Sequence, residues 1–268
     1  EDLCRFEDDT KFSISVIGGG PTGVEMAGAI AELVRGPLKS DHARSAANIK
    51  VRIIEAGDRL LPTFSPSLSK RTKKDLEKLG VEVLVNSPVK LVEHRKVTVA
   101  DGLSLPSEIT IWAAGVKGSD AMAQLNLPIA ANRIVVEPTL QVKNYPNVWA
   151  LGDIAGALGK DGKPLPMVAP VAIQQGKFIA KQINRVSANK VLKNFKYLDK
   201  GSMATIGRNK AVVEVKGLKI AGPVAWLIWI ALHLFYLLGG RNKLTTIADW
   251  TWNYLTFDRG NRHIMDSQ

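Results

Sequence analysis

Three glycines near the start of the sequence, Gly18, Gly20 and Gly23, have the spacing of a turn that binds phosphate groups. They lie in SISVIGGGPTGVEMA, where an apolar run typical of a buried strand ends in glycines and a helical pattern follows. Glycine at these positions lets the backbone approach a pyrophosphate, and the free N–H groups of the next helix favour its negative charge. The pattern predicts a dinucleotide site, and a plain tight turn is the alternative.

A carboxylate follows the second apolar segment. Glu55 ends KVRIIE, which is typical of a buried strand, and an acidic residue there accepts hydrogen bonds from an adenosine ribose and repels a 2′-phosphate. The residue therefore predicts NADH, while Arg52 and Arg59 leave NADPH open. Glu55 follows Gly23 by more than the usual roughly 20 residues. The polar stretch RGPLKSDHARSAANIK explains the excess as an insertion in the helix-to-strand connection.

The composition limits the class of protein. A chain of 268 residues that is 46% hydrophobic can bury the core of one or two domains, which excludes general disorder. The single cysteine, Cys4, excludes a disulfide scaffold, a cysteine-ligated iron–sulfur cluster and a redox cysteine pair within this sequence. The four histidines lack metal-ligand spacing, so no metal site is expected.

The helices and strands that the sequence predicts around these residues are typical of an α/β fold with a Rossmann-type parallel sheet. After the second strand we expect a helix at 65–79, capped by Ser65, and strands at 81–85, 89–93, 96–100 and 108–112. The last strand leads into Ala114 and Gly115, whose small size lets a backbone lie close to a cofactor.

Two further blocks follow this domain. A short buried strand, NVWAL, ends at Gly152 and Asp153, and a helix is expected at 167–186. A small β-region and two apolar, aromatic helices at 221–240 and 243–257 complete the chain. We therefore divide the sequence into a nucleotide domain at 1–115, a second block at 116–186 and a C-terminal region at 187–268.

The net charge of +11 predicts an anionic partner or surface. Basic residues of the C-terminal region lie beside a tryptophan-rich apolar stretch, which suits anionic lipid headgroups better than nucleic acid. The apolar run at 223–238 is shorter than the roughly 20 residues of a spanning helix. Its aromatic rings and neighbouring lysines favour an amphipathic anchor in the membrane plane. A buried helix or dimer face, and a true span, are the alternatives.

Four segments together resemble one family, the type II NADH:quinone oxidoreductases, which are non-pumping flavoenzymes of respiratory membranes. The segments are VIGGGPTGVE (16–25), WAAGV (112–116), NVWALGD (147–153) with APVAIQQG (169–176), and DWTWNYLTFDRGNR (249–262). Two-dinucleotide flavoproteins in general share the first three, whereas the fourth is more particular. The resemblance implies an NADH domain, part of an FAD domain and membrane-associated C-terminal helices.

The resemblance implies an activity for an intact protein longer than this sequence. The family's earlier glycine turn, which cradles the FAD pyrophosphate, is not in this sequence, which therefore resembles roughly the C-terminal three-fifths of such an enzyme. The intact protein is expected to pass electrons from NADH through FAD to a membrane quinone without pumping protons. We expect it as a peripheral protein on the cytoplasmic face of the bacterial inner membrane, with no nucleic-acid partner, and a homodimer stays open.

The resemblance also implies roles for individual residues. Glu25 matches a glutamate near nicotinamide and flavin that is proposed to assist proton delivery, and Gln174 and Gln175 are expected towards the quinone pocket. Asp153 matches an aspartate that binds the FAD ribityl chain. The residues expected at NADH are Gly18, Gly19, Gly20, Pro21, Thr22, Gly23 and Glu55, and those expected at FAD are Gly152, Asp153, Ala169, Pro170 and Val171. Ala114 and Gly115 are expected close to a cofactor. Pro170 replaces the first glutamine of a common family form, A-Q-x-A-x-Q.

Simpler explanations and other functions are also open. Glu25 suits a helix N-terminus through its charge alone, and Asp153 suits a turn or cap. A disulfide-reductase type of flavoenzyme is one alternative function, although this apolar tail differs from the soluble dimerisation domain of that class. A sulfide:quinone oxidoreductase is a second, although that class needs more cysteine than this sequence offers. A non-catalytic, NADH-binding, membrane-associated module is the third.

Overall fold

The computed structural model describes residues 11–237 and 239–256. These residues belong to two compact units, one formed by 11–114 with 201–237 and 239–256, and one by 115–200. The C-terminal segment from residue 201 therefore packs in the same unit as the glycine turn. The functional names given to the three sequence blocks stay predictions.

The elements follow in chain order. The strands are Phe12–Ile17 (β1), Ile49–Ile54 (β2), Glu82–Leu84 (β3), Val89–Glu93 (β4), Lys96–Val99 (β5), Ser104–Pro106 (β6), Ile109–Trp112 (β7), Ile129–Ala130 (β8), Arg133–Ile134 (β9), Gln141–Val142 (β10), Tyr145–Trp149 (β11), Ser202–Gly207 (β12), Lys210–Val215 (β13) and Leu218–Ala221 (β14). The helices are Pro21–Leu33 (α1), Lys39–Asp41 (α2), Ala43–Ala47 (α3), Pro66–Lys78 (α4), Ala169–Ser187 (α5), Pro223–Tyr236 (α6) and Gly240–Thr256 (α7). Two turns of 3₁₀-helix lie at Asp120–Leu125 and one turn at Gly152–Ile154.

A four-stranded parallel sheet in the order β3-β2-β1-β7 forms the centre of the first unit. Every residue of β1 is buried, as expected for a parallel strand whose two faces are both covered. The strand order reverses between β1 and β7, and ligands of such sheets bind at the carboxyl ends of the strands where the order reverses. The predicted Rossmann-type fold is confirmed.

The connection from α1 to β2 differs from the predicted polar insertion, because most of it is helical. After α1 the chain continues as a π-helical turn, Val34–Leu38, and then as α2 and α3. Pro37 lies inside that turn. Proline has no N–H for the regular helical hydrogen bond, and a widened π-turn accommodates its ring without ending the helix.

Two antiparallel three-stranded sheets complete the first unit: β4-β5-β6 and β12-β13-β14. The first packs Val97 and Val99 against Ile17 and Ile54 of the parallel sheet. In the second, β12 and β13 add Ala204, Ile206 and Val212 to the main hydrophobic core, which also contains residues of α1 and β2. The C-terminal β-region is therefore part of the same core as the nucleotide-type sheet.

Helix α4 shows how the C-terminal β-sheet also fixes the start of a helix. Ser65 occupies the predicted N-cap position, but its side chain makes no capping hydrogen bond. Its backbone N–H instead donates to Glu214 of β13 at 2.7 Å. The capping residue was correctly placed by sequence, while its contact was not.

Helix α6 packs on β13 through Ala225, with Trp226 and Ile228 beside it. The helices predicted at 221–240 and 243–257 correspond to α6 and α7, and residues 257–262 of the fourth family-like segment lie outside the described residues. Within 11–237 and 239–256, no helix combines the length and apolar character required to cross a bilayer.

The second unit contains the two-stranded antiparallel sheets β8-β9 and β10-β11 and the long helix α5. Val171 and Ile179 of α5 pack with Leu140 and Leu165. Phe178 and Phe195 meet edge to face, with ring centroids 5.3 Å apart. The unit thus has a core of its own around α5.

Substitution of Gly28 should disrupt the packing of α1 on β12. A Cβ at Gly28 would lie 1.8 Å from the carbonyl oxygen of Ile206, so Gly28→Ala should lower the free energy of unfolding by about 2 kcal/mol or more. A Cβ at Gly36 meets nothing within 4 Å, so Gly36→Ala should raise it by about 0.5–1 kcal/mol. Urea denaturation measures both, and equal stability of the two variants would contradict the packing described.

Candidate functional site

The glycine turn between β1 and α1 is held by contacts that leave no room for side chains. Gly18 has φ +109°, and a Cβ there would lie 2.8 Å from the carbonyl oxygen of Ala113. A Cβ at Gly23 would lie 1.8 Å from the carbonyl oxygen of Gly18. These two glycines therefore bring the end of β1, the start of α1 and the segment after β7 together.

Gly20 differs from its neighbours, because a Cβ there would meet nothing within 4 Å. It is the N-cap of α1, and Pro21 and Thr22, both exposed, follow it in the first turn. The first backbone N–H groups of a helix have no intrahelical acceptor. The turn thus presents an open, partly positive face of the kind that binds anions. A pyrophosphate at Gly20, Pro21 and Thr22 stays a prediction.

Glu55 lies against the same turn. Its Oε2 accepts a hydrogen bond from the N–H of Gly19 at 2.5 Å, and its Oε1 accepts one from the N–H of Gly57 at 2.7 Å. The sequence placed this carboxylate near the nucleotide site, and the structure brings it to the glycines. Its contact with the turn itself had no signal in the sequence.

The two arginines that left NADPH open have other partners. Arg52 is buried, and it donates to Glu82 at 3.0 Å and to the carbonyl oxygen of Pro106 at 2.6 Å. Arg59 donates to the carbonyl oxygen of Pro62 at 3.2 Å. Because Arg52 is buried and paired with these two groups, it no longer favours NADPH as a ligand for the 2′-phosphate.

Glu25 lies on α1 but is directed at the C-terminal β-sheet and helix α6. The N–H of Thr205 donates to its Oε1 at 3.1 Å, and the side chain of Trp229 is a second hydrogen-bond partner. Burial raises the pKa of the Glu25 carboxyl above its usual value, while Thr205, the nearby His233 and Trp229 partly offset that effect.

Trp229 and His233 are members of this cluster that the sequence did not place beside Glu25. Their rings stack with centroids 3.9 Å apart, and His233 Nδ1 lies 2.7 Å from the carbonyl oxygen of Trp229. The ring of Trp250 on α7 lies 6.3 Å from that of Trp229. The four-residue spacing of a tryptophan and a histidine in an otherwise apolar helix was the available signal.

In the second unit, Gly152 and Gln175 form one hydrogen-bonded pair. Gly152 has φ +70°, and its N–H donates to Gln175 Oε1 at 2.6 Å. Gln175 is fully buried, and its Nε2 has no hydrogen-bond partner. Asp153 is exposed in the single helical turn that follows. Gln175 therefore positions the backbone that presents Asp153.

The other predicted residues of this unit lie on or near α5. Ala169, Pro170 and Val171 form its first turn, with Ala169 and Pro170 exposed and Val171 buried. Gln174 is held by Leu198, whose N–H donates to its Oε1 at 3.0 Å and whose carbonyl accepts from its Nε2 at 2.9 Å. Both glutamines thus have structural partners, and their role at a quinone stays a prediction.

Ala114 and Gly115 follow β7 as the sequence predicted. The carbonyl oxygen of Ala114 accepts a hydrogen bond from Trp112 Nε1 at 2.7 Å. Gly115 has φ +75°, and a Cβ there would meet nothing within 4 Å. In the described part of the chain, no three His, Cys, Asp or Glu side chains come together as metal ligands.

Comparison with known proteins decides the family. The family model described as pyridine nucleotide-disulphide oxidoreductase matches residues 4–176. The chain belongs to this family. A second model, described as the NDH2 C-terminal domain, matches residues 200–259. The resemblance to type II NADH:quinone oxidoreductases is confirmed by this pair of matches and by the relatives below.

The names of relatives in other organisms support the assignment to type II NADH:quinone oxidoreductases. The type II NADH:quinone oxidoreductase Ndh of Mycobacterium tuberculosis is 38% identical over 96% of this chain and 57% of its own length. The internal alternative NAD(P)H-ubiquinone oxidoreductase A1 of Solanum tuberosum is 33% identical over 88% of this chain and 51% of its own length. The chain thus spans about half the length of the curated relatives it matches.

Solved structures show the same fold. NDH2 from Plasmodium falciparum in complex with NADH matches with a TM-score of 0.86 and 20% identity, over 95% of this chain and 69% of that one. An FAD-dependent pyridine nucleotide-disulphide oxidoreductase from Desulfovibrio vulgaris matches with a TM-score of 0.56 and 22% identity, over 79% and 51%.

The raised pKa of Glu25 predicts a pH-dependent effect on stability. A carboxyl whose pKa is higher in the folded state stabilises the fold at low pH, and this contribution is lost as the pH rises from about 4.5 through the raised pKa. The stability of Glu25→Gln relative to wild type should therefore increase across that window. Trp229→Phe removes a hydrogen bond that lowers this pKa, so it should extend the window upward.

Urea denaturation at a series of pH values measures both effects. If the difference in the free energy of unfolding between Glu25→Gln and wild type stays constant from pH 4 to pH 8, burial does not raise the pKa of Glu25.

Proposed function

We propose that this chain is the nucleotide-binding and membrane-contacting part of an enzyme that passes electrons from NADH through FAD to a membrane quinone, without proton pumping. The observation that carries the proposal is an open glycine turn in a chain that is 38% identical to a type II NADH:quinone oxidoreductase. The names of the relatives favour this function over disulfide reduction and over a non-catalytic module.

The nucleotide site of the proposal is the turn from Gly18 to Gly23. NADH would place its pyrophosphate on the open side at Gly20, where the helix N-terminus favours negative charge. The carboxylate of Glu55 disfavours a 2′-phosphate by like-charge repulsion, and Arg52 is paired elsewhere. NADH is therefore the proposed donor in preference to NADPH.

The second unit contains the residues proposed to contact FAD. Gly152, held by Gln175, presents the exposed Asp153, whose carboxylate is suited to accept hydrogen bonds from a row of hydroxyls. The N-terminus of α5 favours negative charge on a neighbouring ring. When bound, the flavin supplies hydride acceptance and electron transfer, and these side chains bind and orient it.

Glu25 is the proposed site of proton transfer. The carboxyl of Glu25 is half-buried and its pKa is raised, so it keeps its proton to a higher pH than an exposed glutamate does, which suits a group that donates a proton. Helix α6 contributes Trp229 to this carboxyl, so the same helix is proposed to contact both the proton site and the lipid surface.

Helices α6 and α7 are proposed as the membrane-contacting surface. They expose the large apolar side chains of Val224, Leu227, Leu232, Phe235, Tyr236, Leu244, Ile247, Trp250 and Trp252. Exposed apolar surface of this extent beside basic residues is typical of interfacial helices. A quinone is dissolved in the bilayer, so an enzyme that reduces it needs such a surface. A homodimer and the cytoplasmic face stay predictions.

Gly20→Ala tests the nucleotide site. Gly20 has φ −70°, which alanine adopts without strain, and its Cβ enters open space, so the melting temperature should stay close to wild type. The methyl group would obstruct the pyrophosphate and weaken NADH binding by about tenfold, or about 1.4 kcal/mol.

The dissociation constant of NADH and its KM in a quinone-reduction assay of the intact enzyme measure this effect. Gly36→Ala, whose Cβ also enters open space, should leave both values unchanged. Unaltered NADH affinity in the folded Gly20→Ala variant would exclude the turn as the pyrophosphate site.

The double variant Phe235→Asp/Leu244→Asp tests the membrane surface. Both side chains are 71% exposed, and burial of each in lipid contributes about 1.5–3 kcal/mol. Binding to vesicles of anionic phospholipid should therefore weaken by at least about 100-fold in a sedimentation assay. Val191→Asp, at an exposed residue of the second unit, is the control and should bind as wild type does. Unchanged sedimentation of the double variant would refute the assignment.

A further inference from the structure

Gly19, the second glycine of the turn, is held by hydrogen bonds on both of its peptide groups. Its N–H donates to Glu55 Oε2 at 2.5 Å. Its carbonyl oxygen accepts from the N–H of Leu61 at 2.7 Å. Both partners belong to the loop that follows β2, so residues 55–61 hold the turn in place through two hydrogen bonds to Gly19. We refer to Glu55, Gly57 and Leu61 as the Gly19 clamp.

The backbone of Leu61 is strained where it contacts the turn. Leu61 has φ +50°, a left-handed conformation that leucine rarely adopts. Its side chain is fully buried in the main hydrophobic core, and this packing stabilises the left-handed backbone conformation. Strained residues that are held by their surroundings cluster at functional sites, and here the strained N–H group points at the glycine turn.

The clamp determines where the next peptide N–H points. In a trans peptide the C=O and N–H groups lie on opposite sides. Because Leu61 binds the carbonyl oxygen of Gly19, the N–H of Gly20 points away from the clamp. The N–H of Gly20 therefore points to the open side of the turn, where a Cβ at Gly20 would meet no atom within 4 Å.

The carboxylate of Glu55 is itself fixed in position. Its second oxygen, Oε1, accepts from the N–H of Gly57 at 2.7 Å. A carboxylate only accepts hydrogen bonds, so it matches two backbone donors, whereas an amide would place its own N–H against one of them. Glutamine at this position would therefore release one side of the clamp.

We infer that Glu55 and Leu61 are positioning residues that preorganise the turn for a dinucleotide pyrophosphate. Glu55 then acts on the phosphates through Gly19, in addition to any contact with the adenosine ribose. The inference rests on the proposed binding of NADH, and it assigns Glu55 a role that does not depend on the ribose hydroxyls.

The experiment compares NADH with an analogue whose adenosine ribose lacks both hydroxyls, by equilibrium binding to the wild-type chain and to Glu55→Gln. If Glu55 positions the turn, the variant should bind both ligands about tenfold more weakly than wild type does. If Glu55 contacts only the ribose, the variant should lose affinity for NADH alone, and that result would overturn the inference.

Glu108→Gln is the matched control. Glu108 Oε2 accepts from the N–H of Ser13 at 2.5 Å, which is the same kind of bond at the opposite end of β1. This variant should lose comparable stability and keep wild-type affinity for both ligands. A parallel loss of affinity in Glu108→Gln would show that the effect is general destabilisation, and it would also overturn the inference.

Hydrogen exchange keeps the inference testable if Glu55→Gln fails to fold. In the wild-type chain without nucleotide, the amide of Gly19 should exchange slowly, because Glu55 holds it. Rapid exchange of this amide would contradict the clamp. A wild-type chain that binds neither ligand, but protects Gly19, would instead refute the proposed NADH binding and leave the clamp as a structural feature.

Discussion

Helix α1 lies so close to its neighbours that two backbone carbonyl groups occupy the space where side chains would begin. On one side the carbonyl of Gly18 abuts Gly23, and on the other the carbonyl of Ile206 abuts Gly28. Interiors are close-packed, so contacts at this distance tolerate no added atom. The glycine turn, the parallel sheet and the C-terminal β-sheet all depend on this one helix for their relative positions within the first unit.

The same close approach explains the composition of the Glu25 cluster. Because β12 lies directly on α1, the N–H of Thr205 reaches the Glu25 carboxyl. Helix α6 packs on the neighbouring strand β13 and brings Trp229 to the same group. One helix thus carries at its N-terminus the turn proposed to bind phosphate and, one turn later, a half-buried carboxyl that contacts the proposed membrane helix.

Local patterns in the sequence predicted most of the first unit. The strands around Val16 and Ile53 and the helix after Ser65 follow from apolar runs and turn residues, and the glycine spacing indicated the place of the proposed site. Contacts between distant segments had no such signal: the docking of Ile206 on α1 is one example. Arg52 shows the limit for a single side chain, because sequence does not distinguish a buried arginine paired with Glu82 from a phosphate ligand.

The docking of β12 on α1 has a consequence for biosynthesis. Glu25 and Thr205 are 180 residues apart, and chains are synthesised at about 5–20 residues per second. Helix α1 therefore leaves the ribosome roughly 10 to 35 s before the strand that covers its glycine face. During that interval the nascent chain exposes the apolar surface of α1 that β12 and β13 later cover, which leaves this face accessible to chaperones until those two strands have been synthesised.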